Sequence, residues 1–342
     1  MSSPDAAPAT SEGLRSSPVL CEAYDVALLD LDGVVYVGPD AVPSAPAALE
    51  QAAARGMSLA FVTNNAARTP DTVAAHLSEL GVPARPDQVV TSAQAAATLV
   101  SGMVAPGARV LVVGGEGLEV ALRERGLVPV RSADDEPAAV VQGFSPDVGW
   151  RDLAEGALAL AAGVPWIASN TDLTIPTPRG RAPGNGALVG VLRAATGREP
   201  VVAGKPELPL HAEALRRSGA RLPLVVGDRL DTDIEGAVRA STPSLLVLTG
   251  VTTPRDLVAA PPGLRPSFVS ADLTGLLQAH SAPERVGGSW RLGGWKATVD
   301  RDVLLVEGSG DPVDALRAAC AAAWAEEAFT ALRVEAPAGA GF

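Results

Sequence analysis

The stretch VALLDLDGVVY, residues 26–36, runs four apolar residues straight into Asp30, places Asp32 two positions on and follows it with Gly33. A short unbroken apolar run is the pattern of a strand buried on both faces, as in a parallel sheet. Gly33 permits a sharp turn at its end, so both carboxylates can face one pocket. In open α/β sheets the ligand sits outside the carboxyl ends of the strands, which makes the residue after each strand the informative one.

The same pattern recurs outward from this point, at Leu59–Val62, Val110–Val113, Ala138–Val141, Trp166–Ala168, Val201–Ala203, Leu222–Val226 and Leu245–Leu248. Amphipathic helical stretches lie between these runs. TPDTVAAHLSELG offers Thr69 as N-cap, Pro70 as first helical residue and Gly81 just past the end. PELPLHAEALRRSG closes on Gly219, and TDIEGAVRA follows Asp228 closely. Strand and helix in alternation predict an α/β fold with a doubly wound, Rossmann-like parallel sheet.

Reading the strand ends gives Asp30, Thr63, Lys205 and Asp228, which are two carboxylates, a hydroxyl and an ammonium. Lys205 stands out further, because it and Lys296 are the only lysines among 27 basic residues, the other 25 being arginine. A carboxylate can attack phosphorus and split one difficult displacement into two easier ones, the role expected of Asp30. Asp32 is then placed to protonate the leaving alcohol and later to take a proton from water. Two anions beside a phosphate need positive charge, and Mg²⁺ suits a site with one or two carboxylates and a phosphate oxygen. Asp30 and Asp228 would hold it, with Asp233 orienting Asp228 or a metal-bound water. Thr63 and the backbone N–H of Asn64 can donate to phosphate oxygens, and Lys205 supplies the remaining charge. A calcium loop of the EF-hand kind is disfavoured, since a strand precedes DLDG and the later ligand spacing is absent. VVGGEGLEV lacks the third glycine of a dinucleotide fingerprint, with Val120 in its place.

The totals narrow the class. The 342 residues, 47% hydrophobic and 19% charged, with mean hydropathy +0.21, predict a globular chain of more than one domain. A net charge of −12 excludes nucleic acid and an anionic membrane surface as expected partners. Met1–Arg15 has no signal-peptide pattern, and the longest apolar run, Ala157–Ala168, is broken by Gly163 and Pro165, so no membrane span is expected. Cys21 and Cys320 form no disulfide framework, and a reducing cytoplasm is the expected compartment.

The motifs DLDGV (30–34), VTNN (62–65), GKP (204–206) and GDRLDTDI (227–234) resemble, in order, the four motifs of the haloacid-dehalogenase superfamily of phosphatases. The resemblance implies Asp30 as nucleophile, Asp32 as acid and base, Thr63, Asn64 and Lys205 as phosphate binders, and Mg²⁺ held by Asp30, the Asp32 carbonyl and Asp228. The long interval between Thr63 and Lys205 is where part of the superfamily carries an α/β cap. The implied organisation is a loose tail at 1–17, a core of 18–105 and 197–280, a cap at 106–196 and a small α+β segment at 281–342. GGEGL, SNTDLTIPT and PGNGALV are similar to cap segments of the nitrophenyl-phosphatase and phosphoglycolate-phosphatase branch. Ile175 stands before Pro176 where pyridoxal-phosphate phosphatases have His, which counts against that substrate.

From Ser281 the composition shifts. Trp290 and Trp295 fall in a predicted β-meander running through DVLLVEG, followed by a helix from about Asp311 to Leu332. This segment resembles an N-acetyltransferase fragment found in members of the branch that act on glycerol 3-phosphate. Leu305 occupies the place of a polar acetyl-CoA-loop residue, and Asp311 and Asp314 would repel a pyrophosphate at the helix start, so a structural or regulatory role is expected. The expected function is hydrolysis of a small phosphate monoester, glycerol 3-phosphate favoured, with 2-phosphoglycolate or a broad nitrophenyl-phosphatase activity as the alternative, and with the cap as candidate homodimer surface. The rivals are a phosphomutase or phosphotransferase, and a phospho-accepting receiver module, which would need neither Asp32 nor a lid.

Overall fold

The computed structural model describes residues 13–177, 179–326 and 332–342 and divides the chain into two compact units. One comprises Met1–Val37, Val42–Leu59 and Arg221–Phe342, the other Gly38–Ala41 and Ala60–Ala220.

In the first unit the strands Phe268–Ser270, Ser244–Val247, Pro223–Gly227 and Val26–Leu29 lie side by side in that order, all parallel. Val26–Leu29 is buried along its whole length, as its unbroken apolar run requires. The segment after Ser281 forms a second sheet here. Glu284–Val286, Ser289–Leu292, Trp295–Asp300 and Val303–Gly308 pair antiparallel, and Arg333–Glu335 adds parallel to the last. Two-residue turns at Gly287–Gly288 and Gly293–Gly294 join the first three strands, with Gly287 and Gly293 at positive φ as such tight hairpins demand. The helix Pro312–Trp324 starts on Asp311, whose carboxylate caps Val313 N–H at 2.9 Å. The helix ends at Trp324, short of the expected Leu332, with Ala325 and Glu326 already out of the helix; residues 327–331 of the expected range lie outside the described residues. Leu316, Ala319 and Ala323 of this helix share one hydrophobic core with Trp295 and Leu304 of its own sheet and with Ile234, Leu246 and Val269 of the first sheet. Trp324 Nε1 donates to Leu257 O at 3.2 Å, and Arg265 lies 5.1 Å over the Trp324 ring. The C-terminal sheet therefore has no core separate from that of the strands beside it.

In the second unit Ser58–Thr63 contributes Phe61–Thr63, which pair parallel with Val89–Thr91. A further parallel sheet runs Val201–Val202, Trp166–Ala168, Ala139–Gln142, Arg109–Val113 and Val128–Val130. Pro129 sits in an edge strand of it, where a missing N–H does least harm. Helices Trp150–Ala161 and Asn185–Thr196 cover one face, burying Leu160, Val189 and Leu192 against Leu111, Val140 and Trp166. The helix Pro70–Glu79 begins as expected, with Thr69 Oγ1 accepting from Thr72 N–H at 3.3 Å. Leu208–Ser218 ends on Gly219 in the left-handed region. Among the described residues no helix is long and apolar enough to cross a membrane, and both cysteines are buried free thiols.

Candidate active site

Four of the expected site residues lie in the first unit. Asp30 follows the strand Val26–Leu29, is half-buried, and its N–H donates to Val226 O at 2.8 Å. The chain then turns at Gly33, φ +84°, leaving Asp32 exposed and in a bridge with Tyr36. Asp228 follows the strand Pro223–Gly227 and is fully buried, and Asp233 is 2% exposed within a single π-helical turn, Leu230–Ile234. Such turns recur at functional sites because they re-aim side chains. Here one carboxylate oxygen from each of Asp30, Asp228 and Asp233 lies within 4.8 Å of the others. Asp231 points elsewhere, with both oxygens on Arg229 at 3.0 and 2.8 Å, and that pairing holds its carboxyl below the usual range.

Backbone packed against the cluster explains its geometry. Val251 N–H donates to Asp228 Oδ2 at 2.7 Å, and Arg229 N–H donates to Asp233 Oδ2 at 3.2 Å. A Cβ added to Gly33 or Gly250 would overlap the Asp228 carboxylate, and one on Gly227 would overlap that of Asp233. Gly250 and Val251 were not singled out by the sequence reading. Their signal was a glycine at the end of the run Leu245–Thr249, the next strand end along the chain. Three hard oxygen donors gathered by backbone this close fit a small divalent cation, and they fit Mg²⁺ in donor chemistry.

The other three expected residues lie in the second unit. Thr63 ends its strand 4% exposed, and its Oγ1 accepts from Asn65 N–H at 3.1 Å. Asn64 bonds to the backbone of Lys205 twice, its Oδ1 accepting from Lys205 N–H at 2.8 Å and its Nδ2 donating to Lys205 O at 3.2 Å. Lys205 is half-buried, and its Nζ donates to Val62 O at 3.3 Å. The structure thus brings Asn64 and Lys205 together across 141 residues of chain. Val201–Val202, the strand before Lys205, pairs with Trp166–Ala168 in the five-stranded sheet of the second unit, a partner its own sequence does not indicate.

Comparison with known proteins places the chain in a family. A family model described as haloacid dehalogenase-like hydrolase matches residues 27–128, and a second of the same kind matches 202–276. A third, described as a GCN5-related N-acetyltransferase like domain, matches residues 292–340. The chain belongs to the haloacid dehalogenase-like hydrolases. It is 48% identical over 329 residues to the D-glycerol 3-phosphate phosphatase of Mycobacterium tuberculosis, covering 93% of this chain and 92% of that one. It is 38% identical over 236 residues to an acid sugar phosphatase of Staphylococcus aureus, covering 68% of this chain and 90% of that one. The crystal structure of a glycerol phosphate phosphatase of M. tuberculosis in complex with magnesium superposes with a TM-score of 0.85 at 44% identity, covering 94% of this chain and 97% of that one.

Proposed function

We propose that the protein is a Mg²⁺-dependent phosphatase acting on a small phosphate monoester, glycerol 3-phosphate first and 2-phosphoglycolate second. The observation that carries the reading is the trio Asp30, Asp228 and Asp233, whose carboxylate oxygens lie within 4.8 Å of one another. The relatives named above are a D-glycerol 3-phosphate phosphatase and an acid sugar phosphatase, which supports a small, hydroxylated substrate.

In the proposed reaction Asp30 attacks phosphorus. The bond from phosphorus to the substrate oxygen breaks as one to the Asp30 carboxylate forms, and Asp32 gives its proton to the departing alcohol. Asp32 then takes a proton from water, whose oxygen attacks the aspartyl-phosphate and frees Asp30 and inorganic phosphate. The exposure of Asp32 suits a group that must exchange protons with solvent. Mg²⁺ bound by Asp30 and Asp228, with Asp233 beside them, would supply positive charge to the phosphate oxygens. Thr63, the Asn64 N–H and Lys205 would supply the remaining donors. Release of inorganic phosphate from a panel of phosphomonoesters, with Mg²⁺ and with a chelator, tests the reading. Stable phosphorylation without turnover would favour the receiver rival.

A reducing compartment is the proposed location, supported by two buried thiols with no disulfide. A homodimer is proposed through the helices Trp150–Ala161 and Asn185–Thr196, on which Trp150, Leu158 and Val191 are exposed. A monomer at micromolar concentration in light scattering would remove that part.

A further inference from the structure

The amide of Asn64 makes three hydrogen bonds at once, using both of its N–H donors and its oxygen. Besides clamping both backbone groups of Lys205, its Nδ2 donates to Asp172 Oδ2 at 3.1 Å, across 108 residues of chain. A carboxylate only accepts, so Asp172 selects the amide orientation that also lets Oδ1 receive the Lys205 N–H. The backbone of Asn64 is held as well. Its carbonyl accepts from Asn170 Nδ2 at 2.7 Å and from Ser92 Oγ at 2.6 Å. Asn170 is 5% exposed, its own carbonyl accepts from Asn185 Nδ2 at 2.6 Å, and its Oδ1 accepts from Asp172 N–H at 3.2 Å. Ser169 and Asn170 also close over Gly204, where an added Cβ would lie 2.5 Å from Asn64 Oδ1 and 2.6 Å from Ser169 O.

We propose that Asp172 is a positioning residue for Lys205, acting through Asn64 and supported by Asn170. The inference rests on the reading of Lys205 as a phosphate-binding ammonium. An ammonium on a flexible four-carbon stem is aimed only as well as its backbone is held. A displacement near 1 Å at such a donor costs up to about a hundredfold in rate. Asp172 fixes that backbone from a segment that sequence order places well before GKP, which makes the aim of Lys205 depend on the loop after Trp166–Ala168.

The test uses the full-length protein with Mg²⁺ and glycerol 3-phosphate, measuring kcat, KM, inhibition by inorganic phosphate and thermal midpoint. Asp172→Ala is expected to lower kcat/KM about tenfold and to weaken phosphate inhibition by a similar factor. Asp172→Asn keeps an oxygen acceptor for Asn64 and is expected to restore most of both, while the Mg²⁺ concentration for half activation stays at the parent value in each. If Asp172→Ala does not fold, Asp172→Ser, too short to reach Asn64, replaces it. Parent-like kcat/KM and phosphate inhibition in Asp172→Ala overturn the proposal. So do equal losses in the Ala and Asn variants that merely follow a lowered thermal midpoint. Lys205→Met at full activity and full phosphate inhibition overturns the phosphate-binding reading itself. An impaired Lys205→Met beside an unimpaired Asp172→Ala overturns only the positioning role.

Discussion

Glu213 and the cluster of half-buried Asp30 with buried Asp228 and Asp233 both gather carboxylates out of solvent, yet they are completed in opposite ways. Glu213, 3% exposed on the helix Leu208–Ser218, receives Arg216 Nη2 at 2.5 Å, Arg217 Nε at 2.6 Å, Arg125 Nη2 at 3.0 Å and Thr98 Oγ1 at 3.1 Å. Burial alone would raise this carboxyl, but the hydrogen bonds from Arg216 and Arg217 and the charges of Arg217 and Arg125 outweigh it and hold it low. The three aspartates instead meet one another, with Val251 and Arg229 backbone N–H groups fixing two of them in place. Three carboxylates this close repel one another, and a cation held between them would offset that repulsion. One network completes a fold, and the other prepares a donor set for a metal.

The largest expected effect strikes the aspartates. Asp30→Asn keeps the shape and removes the nucleophile, so turnover should fall by at least about a thousandfold with an unchanged circular dichroism spectrum. Retained activity would end the assignment. Next comes Lys205→Arg, where a planar fork replaces a compact point charge, at a cost of about 3 kcal/mol in transition-state stabilisation. The control is Lys296→Arg. Lys296 pairs with Glu307 at 3.0 Å on the solvent-facing side of its strand, and equal effects from both swaps would reduce Lys205 to a surface residue.

Gly250→Ala sharpens the contrast differently, because its Cβ would displace the Asp228 carboxylate without altering any acid. Activity titrated with Mg²⁺ should need about 10- to 100-fold more metal. An unchanged titration would show that the glycine wall does not set the site. At Glu213 the expected effect is on stability instead. Its folded carboxyl is held below the ordinary value, so its contribution is present above the unfolded carboxylate range and is lost as pH falls through the lower folded value. Glu213→Gln should cost about 1–3 kcal/mol at neutral pH and lose less on acidification than the parent does. Thermal midpoints from neutral pH into acid check this, and parallel curves for parent and variant would clear Glu213. The smallest effect is Lys296→Arg itself, within about 0.5 kcal/mol by thermal midpoint, as for an exposed pair.

Much of the strand pattern was legible. The runs around Val26, Leu59, Val110, Ala138, Trp166, Val201, Leu222 and Leu245 are all strands, because a buried strand needs continuous apolar residues and that is a local property. Val89–Thr91 and Phe268–Ser270 escaped notice, since three residues carry too little pattern to separate from a loop. Val128–Val130 hid behind Pro129, and the hairpin of Thr174–Thr177 with Gly180–Pro183 is mostly exposed and so shows no apolar run. Among site residues, Asp30 and Asp228 could be read together because each follows a strand, and Asp233 because it lies five residues after Asp228 in GDRLDTDI. Asp172 could not, because its partner Asn64 is 108 residues away and a carboxylate in a polar loop has many ordinary uses.

The sequence by itself determined which residues stand at the ends of strands, where helices start and stop, and that carboxylates, a threonine and a rare lysine recur at those ends. These depend on side-chain periodicity and capping over a few neighbours. Only the tertiary structure decided that Val201–Val202 pairs with Trp166–Ala168, that Gly250 walls Asp228, that Asn64 clamps Lys205 and that the C-terminal helix shares a core with Ile234 and Leu246. Those are contacts between segments far apart in the chain, chosen by packing and by satisfying buried polar groups, and no local pattern records them.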